Sequence, residues 1–267
     1  MPAIDIGQIR GETQELIRLF GDPNAFATAT REFFQVHSVF TYKQSPIVSI
    51  HAPLKTYGTP APILRTLLGA LRKYADAHST HTQMVVVRLW QDAIREQRQL
   101  AIELLGLTVS ALPAQVEAIM LEWLGQLDDL ELIDLLGAHV CGPWLSGDLY
   151  PRLEKVRAWV NSPHKYQRQF GVMGLAALAK NRSFHDISAV LDVMTGVMRE
   201  GDVEVRKSVA GTLKDLSING SGEVARFLTN WADTLDKNTH WIVRHAMDKL
   251  DVDSRATITS ALRGGRV

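Results

Sequence analysis

A chain of 267 residues with 46% apolar residues is long enough for one large domain or two small ones around a substantial core. It holds no run of eighteen apolar residues, which excludes a membrane-spanning helix of ordinary composition, and its opening Met-Pro-Ala-Ile-Asp lacks the basic and apolar regions of a secretory leader. The lone cysteine, Cys141, excludes an internal disulfide framework, fits a reducing, cytoplasmic setting and reads as a small core hydrophobe.

The net charge of zero weighs against a nucleic-acid partner, but the distribution is uneven. Residues 1–149 carry 11 Lys and Arg against 16 Asp and Glu, and residues 150–267 carry 18 against 13. Such asymmetry marks a basic binding face on the second half, or no more than a solvated helical surface.

In chain order, residues 10–36 predict two short helices, the second beginning after Asp22-Pro23. Residues 38–58 differ: the β-rich Val39-Phe40-Thr41-Tyr42 and Ile47-Val48-Ser49-Ile50 flank Lys43-Gln44-Ser45-Pro46, a pattern that fits a small hairpin and an ordered loop equally well. From residue 60 onward apolar residues recur at three- and four-residue spacing, predicting helices over 60–76, 82–92, 94–107, 114–124, 129–140, 148–161, 164–179, 184–199, 202–216, 221–235, 239–249 and 254–263. Breaks fall at signals such as Ser110-Ala111-Leu112-Pro113, Gly142-Pro143, Asn161-Ser162-Pro163 and Asn219-Gly220-Ser221-Gly222.

These helices pair with a period of roughly 35–40 residues and no visible repeat consensus. Pairs that bury their apolar faces only against neighbours form an α-solenoid. The expected fold is therefore all-α, a right-handed α-solenoid of HEAT-like helix pairs with a concave groove. It is expected to form a single repeat domain over 1–267, with N-terminal helices and the loop or hairpin in 1–58 and repeats over 59–264.

Within Leu130-Glu131-Leu132-Ile133-Asp134-Leu135-Leu136-Gly137-Ala138-His139-Val140-Cys141-Gly142-Pro143, one carboxylate stands out. At about 100° per residue, Ile133, Leu136, Gly137 and Val140 share a stripe, and Asp134 lies at its margin, roughly 40° past Leu130. Desolvating a carboxylate without a partner costs several kcal/mol. The site has a cationic partner, or exists to meet one; a carboxylate that pairs locally satisfies the same pattern.

Other signals carry little. His78 and His81 lack further metal ligands, and no Gly-x-Ser-x-Gly elbow occurs. Asn219-Gly220-Ser221-Gly222 lacks the Lys-Ser/Thr of a P-loop, and Trp90, Trp123, Trp144 and Trp231 sit in core patterns.

Tyr57-Gly58-Thr59-Pro60-Ala61-Pro62-Ile63-Leu64-Arg65, then Leu89-Trp90 followed by Arg95-Glu96-Gln97-Arg98-Gln99-Leu100-Ala101, then the Asp134 segment, Tyr166-Gln167-Arg168-Gln169 and Trp241-Ile242-Val243-Arg244-His245-Ala246 follow one another in an order and spacing that resembles one family, the HEAT-like-repeat DNA alkylation repair glycosylases. The likeness runs over roughly residues 20–250. It implies that Asp134 is the catalytic aspartate and that Arg168 reaches DNA. It also implies release of cationic N3- or N7-alkylated purines from duplex DNA without flipping the lesion, unlike most base-modifying enzymes. Such a base leaves neutral, so one carboxylate that stabilises the oxocarbenium-like sugar and places a water suffices. Lys165, Tyr166, Arg168, Arg206, Lys207, Lys214 and Arg244 are the candidate DNA contacts. The expected partner is alkylated or otherwise damaged double-stranded DNA, met by a monomer with no metal or cofactor.

Two departures stand against the family pattern. Leu130 occupies the place of a tryptophan four residues before the aspartate, and Gly211 falls near a second family tryptophan; Tyr166 and Trp159 are aromatics that remain to compensate. These departures favour an alternative, a catalytically silent relative that binds damaged or branched DNA. The zero net charge favours a protein-interaction scaffold.

Overall fold

The computed structural model describes residues 6–38 and 54–264. Among them every extended element is helical, and one isolated bridge joins Lys55 to Ile94. The helices are α1 (Ile6–Leu19), α2 (Pro23–Val36), α3 (Ala61–Ala77), α4 (Ser79–Gln91), α5 (Arg95–Leu107), α6 (Pro113–Gln126), α7 (Leu130–Leu136), α8 (Gly142–Gly147), α9 (Leu149–Val160), α10 (Lys165–Lys180), α11 (Ile187–Met194), α12 (Val203–Leu216), α13 (Ser221–Ala232), α14 (Lys237–Ala246) and α15 (Val252–Gly264). No helix is long and apolar enough to cross a membrane among the described residues. Most of the hairpin-or-loop segment, 39–53, lies outside them.

The chain divides into two compact units, Met1–Leu135 and Leu136–Val267, with the boundary inside α7. In the first unit α1, α3 and α5 pack in one row, with α2 and α4 behind them. Caps explain the starts: Asp22 accepts the N–H groups of Asn24 and Ala25 while Pro23 opens α2, as the sequence predicts. Trp90 of α4 stacks on Trp123 of α6 with ring centroids 4.0 Å apart and planes 1° apart, and donates to Gln126 Oε1 at 2.7 Å. The Arg98 guanidinium lies 4.6 Å from the Trp90 ring centre. His78 stacks on Tyr74 and His81 bonds the Phe20 carbonyl, so both histidines serve local packing.

In the second unit α10, α12 and α14 form a row against α9, α11, α13 and α15. A π-helical turn, Gly137–Cys141, and α8 lie on α10 at glycines. A Cβ on Gly142 would fall 2.2 Å from Ala177 Cβ, and one on Gly174 would fall 2.7 Å from Cys141 Sγ. The expected break at Gly142-Pro143 is accordingly absent. Gly142 serves a close crossing, and Pro143, without an N–H, follows the π-helical turn directly as the chain runs on in right-handed helical conformation into α8. The expected helix over 184–199 is also shorter: Asp186 caps α11, which tightens into a 3-10 turn at Thr195–Val197.

A repeat period emerges in the polar contacts, although the sequence shows no consensus. Arg95 pairs with Asp129, Trp90 with Gln126, Arg157 with Asp192, Arg168 with Glu200, Arg206 with Asn238, and Lys214 with Asp248, each across 32–36 residues. Equivalent positions of successive helix pairs are thus hydrogen-bonded to one another within each unit.

Candidate nucleic-acid interface

Asp134 sits on α7 as its pattern predicts, half-buried like Leu130, while Leu132, Ile133 and Leu136 are buried. The start of this helix is held from α5. Asp129 Oδ1 accepts the N–H groups of Glu131 and Leu132, which caps the first turn. Arg95 Nε donates to Asp129 Oδ2 at 2.9 Å, and its Nη2 reaches Glu131. Burial alone would lower the Arg95 pKa, but the bond to Asp129 and the charges of both acids raise it above the ordinary value. The neighbouring Glu96, 4% exposed, turns the other way. Its Oε1 accepts from Tyr57 N, Gly58 N, Thr59 N and Thr56 Oγ1. Gly58 there has φ 67°, a left-handed conformation that glycine adopts without strain. Arg95-Glu96 therefore locks both the approach to α3 and the start of the aspartate helix.

In the second unit Lys165, Tyr166 and Arg168 stand in the first turn of α10, and Arg206 and Lys207 in the first turns of α12. Lys214 lies near the other end of α12, and exposed Arg244 in the last turn of α14. Most are engaged inside the protein. Arg168 grips Glu200 with two bonds, at 2.6 and 3.0 Å, and donates to the carbonyls of Ser162 and Pro163 at 3.0 Å each. The Glu200 bond raises the Arg168 pKa. Lys207 pairs with Glu204 and Lys214 with Asp248 at 2.8 Å, and Lys165 approaches Asp202 at 3.7 Å and lies over the Tyr166 ring. Arg206 bonds Asn238 and stacks 4.7 Å over Trp241, which in turn stacks on His245. Among the aromatics considered as substitutes, Trp159 packs edge-on against Phe170. At Gly211 a Cβ would meet nothing within 4 Å, so the place of the second family tryptophan is open.

Compared with known families, residues 20–250 match the DNA alkylation repair enzyme family. The chain belongs to that family. Solved structures of the same fold include AlkD2 from Streptococcus mutans, with 16% identity, a TM-score of 0.54, and coverage of 71% of this chain and 100% of that one. Another is smu.31 from Streptococcus mutans UA159, with 16% identity, a TM-score of 0.54, and coverage of 70% and 100%. No curated protein sequence matches the chain. In this family member the motif residues Trp90, Arg95 and Glu96 act as joints between helices, as their bonds above show. Glu200, whose buried carboxylate holds Arg168, carries no local sequence signal.

Proposed function

We propose that this protein is a DNA N-glycosylase that releases cationic N3- or N7-alkylated purines from duplex DNA without flipping them, with Asp134 as the catalytic carboxylate. The observation that carries this reading is the half-buried Asp134 on a helix whose first turn is pinned by Arg95, in a chain of the alkylation repair family. A carboxylate fixed on a helix and withdrawn from bulk water stabilises developing positive charge with little reorganisation. It faces the oxocarbenium-like sugar as the glycosidic electrons leave with the base. It also orients the water whose oxygen bonds C1′, and it accepts the proton that this water gives up. No general acid is needed, because the cationic base departs neutral.

Lys165, Tyr166, Arg206, Lys207, Lys214 and Arg244 are the proposed DNA contacts in the second unit. Phosphates replace the surface carboxylates that the lysines now meet, at little cost because such exposed pairs contribute about 0–1 kcal/mol. Arg168 acts through the loops it holds.

Release of 3-methyladenine or 7-methylguanine from alkylated duplex DNA tests the reading. Wild type should release the base, and Asp134→Asn should slow release by about two orders of magnitude or more, the usual size of one such electrostatic contact. DNA affinity should hold, since phosphate contacts lie elsewhere. Full activity in the variant would remove Asp134 from the chemistry. A second reading, a silent DNA-binding relative, is favoured by Leu130 and by the open space at Gly211. Wild type that binds duplex DNA and releases no alkylpurine would establish it.

A further inference from the structure

We propose that the groove between α1 and α3 is a second DNA contact, one that holds the phosphodiester backbone of a strand. This rests on the reading that the protein binds DNA. The groove is an open cavity of about 570 Å³ within the first unit, lined by Arg10, Gly11 and Gln14 from α1 and by Arg65, Thr66, Gly69 and Ala70 from α3. Both arginines are exposed, and neither has an ion-pair partner among the described residues. The acids of α1 have other partners: Glu12 bonds the His37 ring and Glu15 pairs with Arg18. Further along α3, Arg72 and Lys73 are exposed and unpaired on the same terms. Most of the candidate DNA-contacting cations of the second unit, by contrast, already meet a carboxylate or an amide.

The charge pattern agrees. All 11 Lys and Arg of residues 1–149 precede residue 99, where only 8 acids accompany them. The acidic excess of the first half therefore belongs to residues 99–149 and hides a basic N-terminal region.

The glycines complete the argument. A glycine inside a helix costs about 1 kcal/mol relative to alanine. At Gly137, Gly142 and Gly174 a neighbour demands it, but a Cβ at Gly11 or Gly69 would meet nothing within 4 Å. Among the described residues nothing packs into that clearance, as is also true at the helical glycines Gly125 and Gly211, and over the groove it lets an outside backbone approach the helices closely. Guanidiniums on both walls suit a polyanion, which they bind through paired N–H donors.

The test is binding of an undamaged duplex followed by fluorescence anisotropy across a salt series. Wild type, Arg10→Ala/Arg65→Ala, Gly69→Leu and a control, Arg226→Ala on exposed α13 surface, are compared, with melting curves to confirm folding. Loss of two phosphate contacts should lower the slope of log K against log salt by roughly 1.8, at 0.9 per contact. The double variant should also bind about tenfold more weakly at low salt. Gly69→Leu fills the groove without altering charge and should also weaken binding, while Arg226→Ala should not. Wild-type affinity and slope in the double variant, or unchanged affinity in Gly69→Leu, would overturn the groove while leaving DNA binding intact. No binding by wild type at low salt would remove the DNA-binding reading itself, and this proposal with it.

Discussion

Replacing Arg168 separates a structural from a DNA-contacting role. The side chain is 19% exposed and its partner Glu200 only 4%, so the pair is largely withdrawn from water. Arg168→Ala leaves the Glu200 carboxylate with the Asp202 N–H at 2.8 Å as its remaining bond, and frees the carbonyls of Ser162 and Pro163. Removing one partner of a buried pair typically costs 3–5 kcal/mol. The retained N–H and the residual exposure of the arginine place this case at the lower end, about 3 kcal/mol. For a chain of this size that is a drop of roughly 6–12 °C in Tm. Calorimetry or denaturant titration reads the loss, and Arg168→Met/Glu200→Gln, which removes the buried charge along with its partner, should recover most of it. Below the melting range, DNA affinity of Arg168→Ala should fall less than about threefold. A stability change under about 1 kcal/mol with a tenfold or larger loss of DNA affinity would refute this reasoning and make Arg168 a ligand of DNA.

Burial would raise the Asp92 pKa, but hydrogen bonds from Arg31 and Arg88 outweigh it and hold the group below its ordinary 3.8. A depressed folded pKa contributes stability that is complete above the unfolded value and lost as pH falls through the folded one. Denaturant titrations below pH 5 should therefore show wild type losing stability on acidification, with a shallower acid limb in Asp92→Asn; equal limbs would show that the bridge does not titrate as described. Gly142→Ala should destabilise by about 2 kcal/mol, because its methyl would overlap Ala177 and overpacking typically costs 1–3 kcal/mol. An unchanged Tm would mean that the crossing yields freely.

Much of the helical layout was legible because each helix carries its own periodicity and many their own caps, as with Asp22-Pro23 and α2. The margin position of Asp134 was legible for the same reason: burial of Leu132, Ile133 and Leu136 fixes the face on which it borders. Gly142-Pro143 misleads because a glycine that ends a helix and one that lets two helices touch look alike in sequence. The difference is Ala177, 35 residues away. Charge is harder still. Arg168, Lys214 and Arg10 are all cations in helical segments, and only the fold brings Glu200 and Asp248 to the first two and, among the described residues, no carboxylate to the third. The π-helical turn was not legible; it lies where Gly137 and Gly142 approach α10 and just before Pro143.

The ladder of polar contacts at 32–36-residue spacing bears on how each unit comes apart. Every rung joins one helix pair to the next, as an ion pair at Arg95–Asp129, Arg168–Glu200 and Lys214–Asp248 and through an amide oxygen at Arg206–Asn238. In a nearest-neighbour description, that raises the interface free energy relative to the intrinsic stability of a single pair. Fraying of an end pair then exposes unmatched ions together with apolar surface. The coupling is concentrated at the buried Arg168–Glu200 rung and is slight at exposed ones such as Lys214–Asp248. Amides of α10 are accordingly expected to exchange with solvent through openings larger than one helix, and those of the terminal α15 through local fraying.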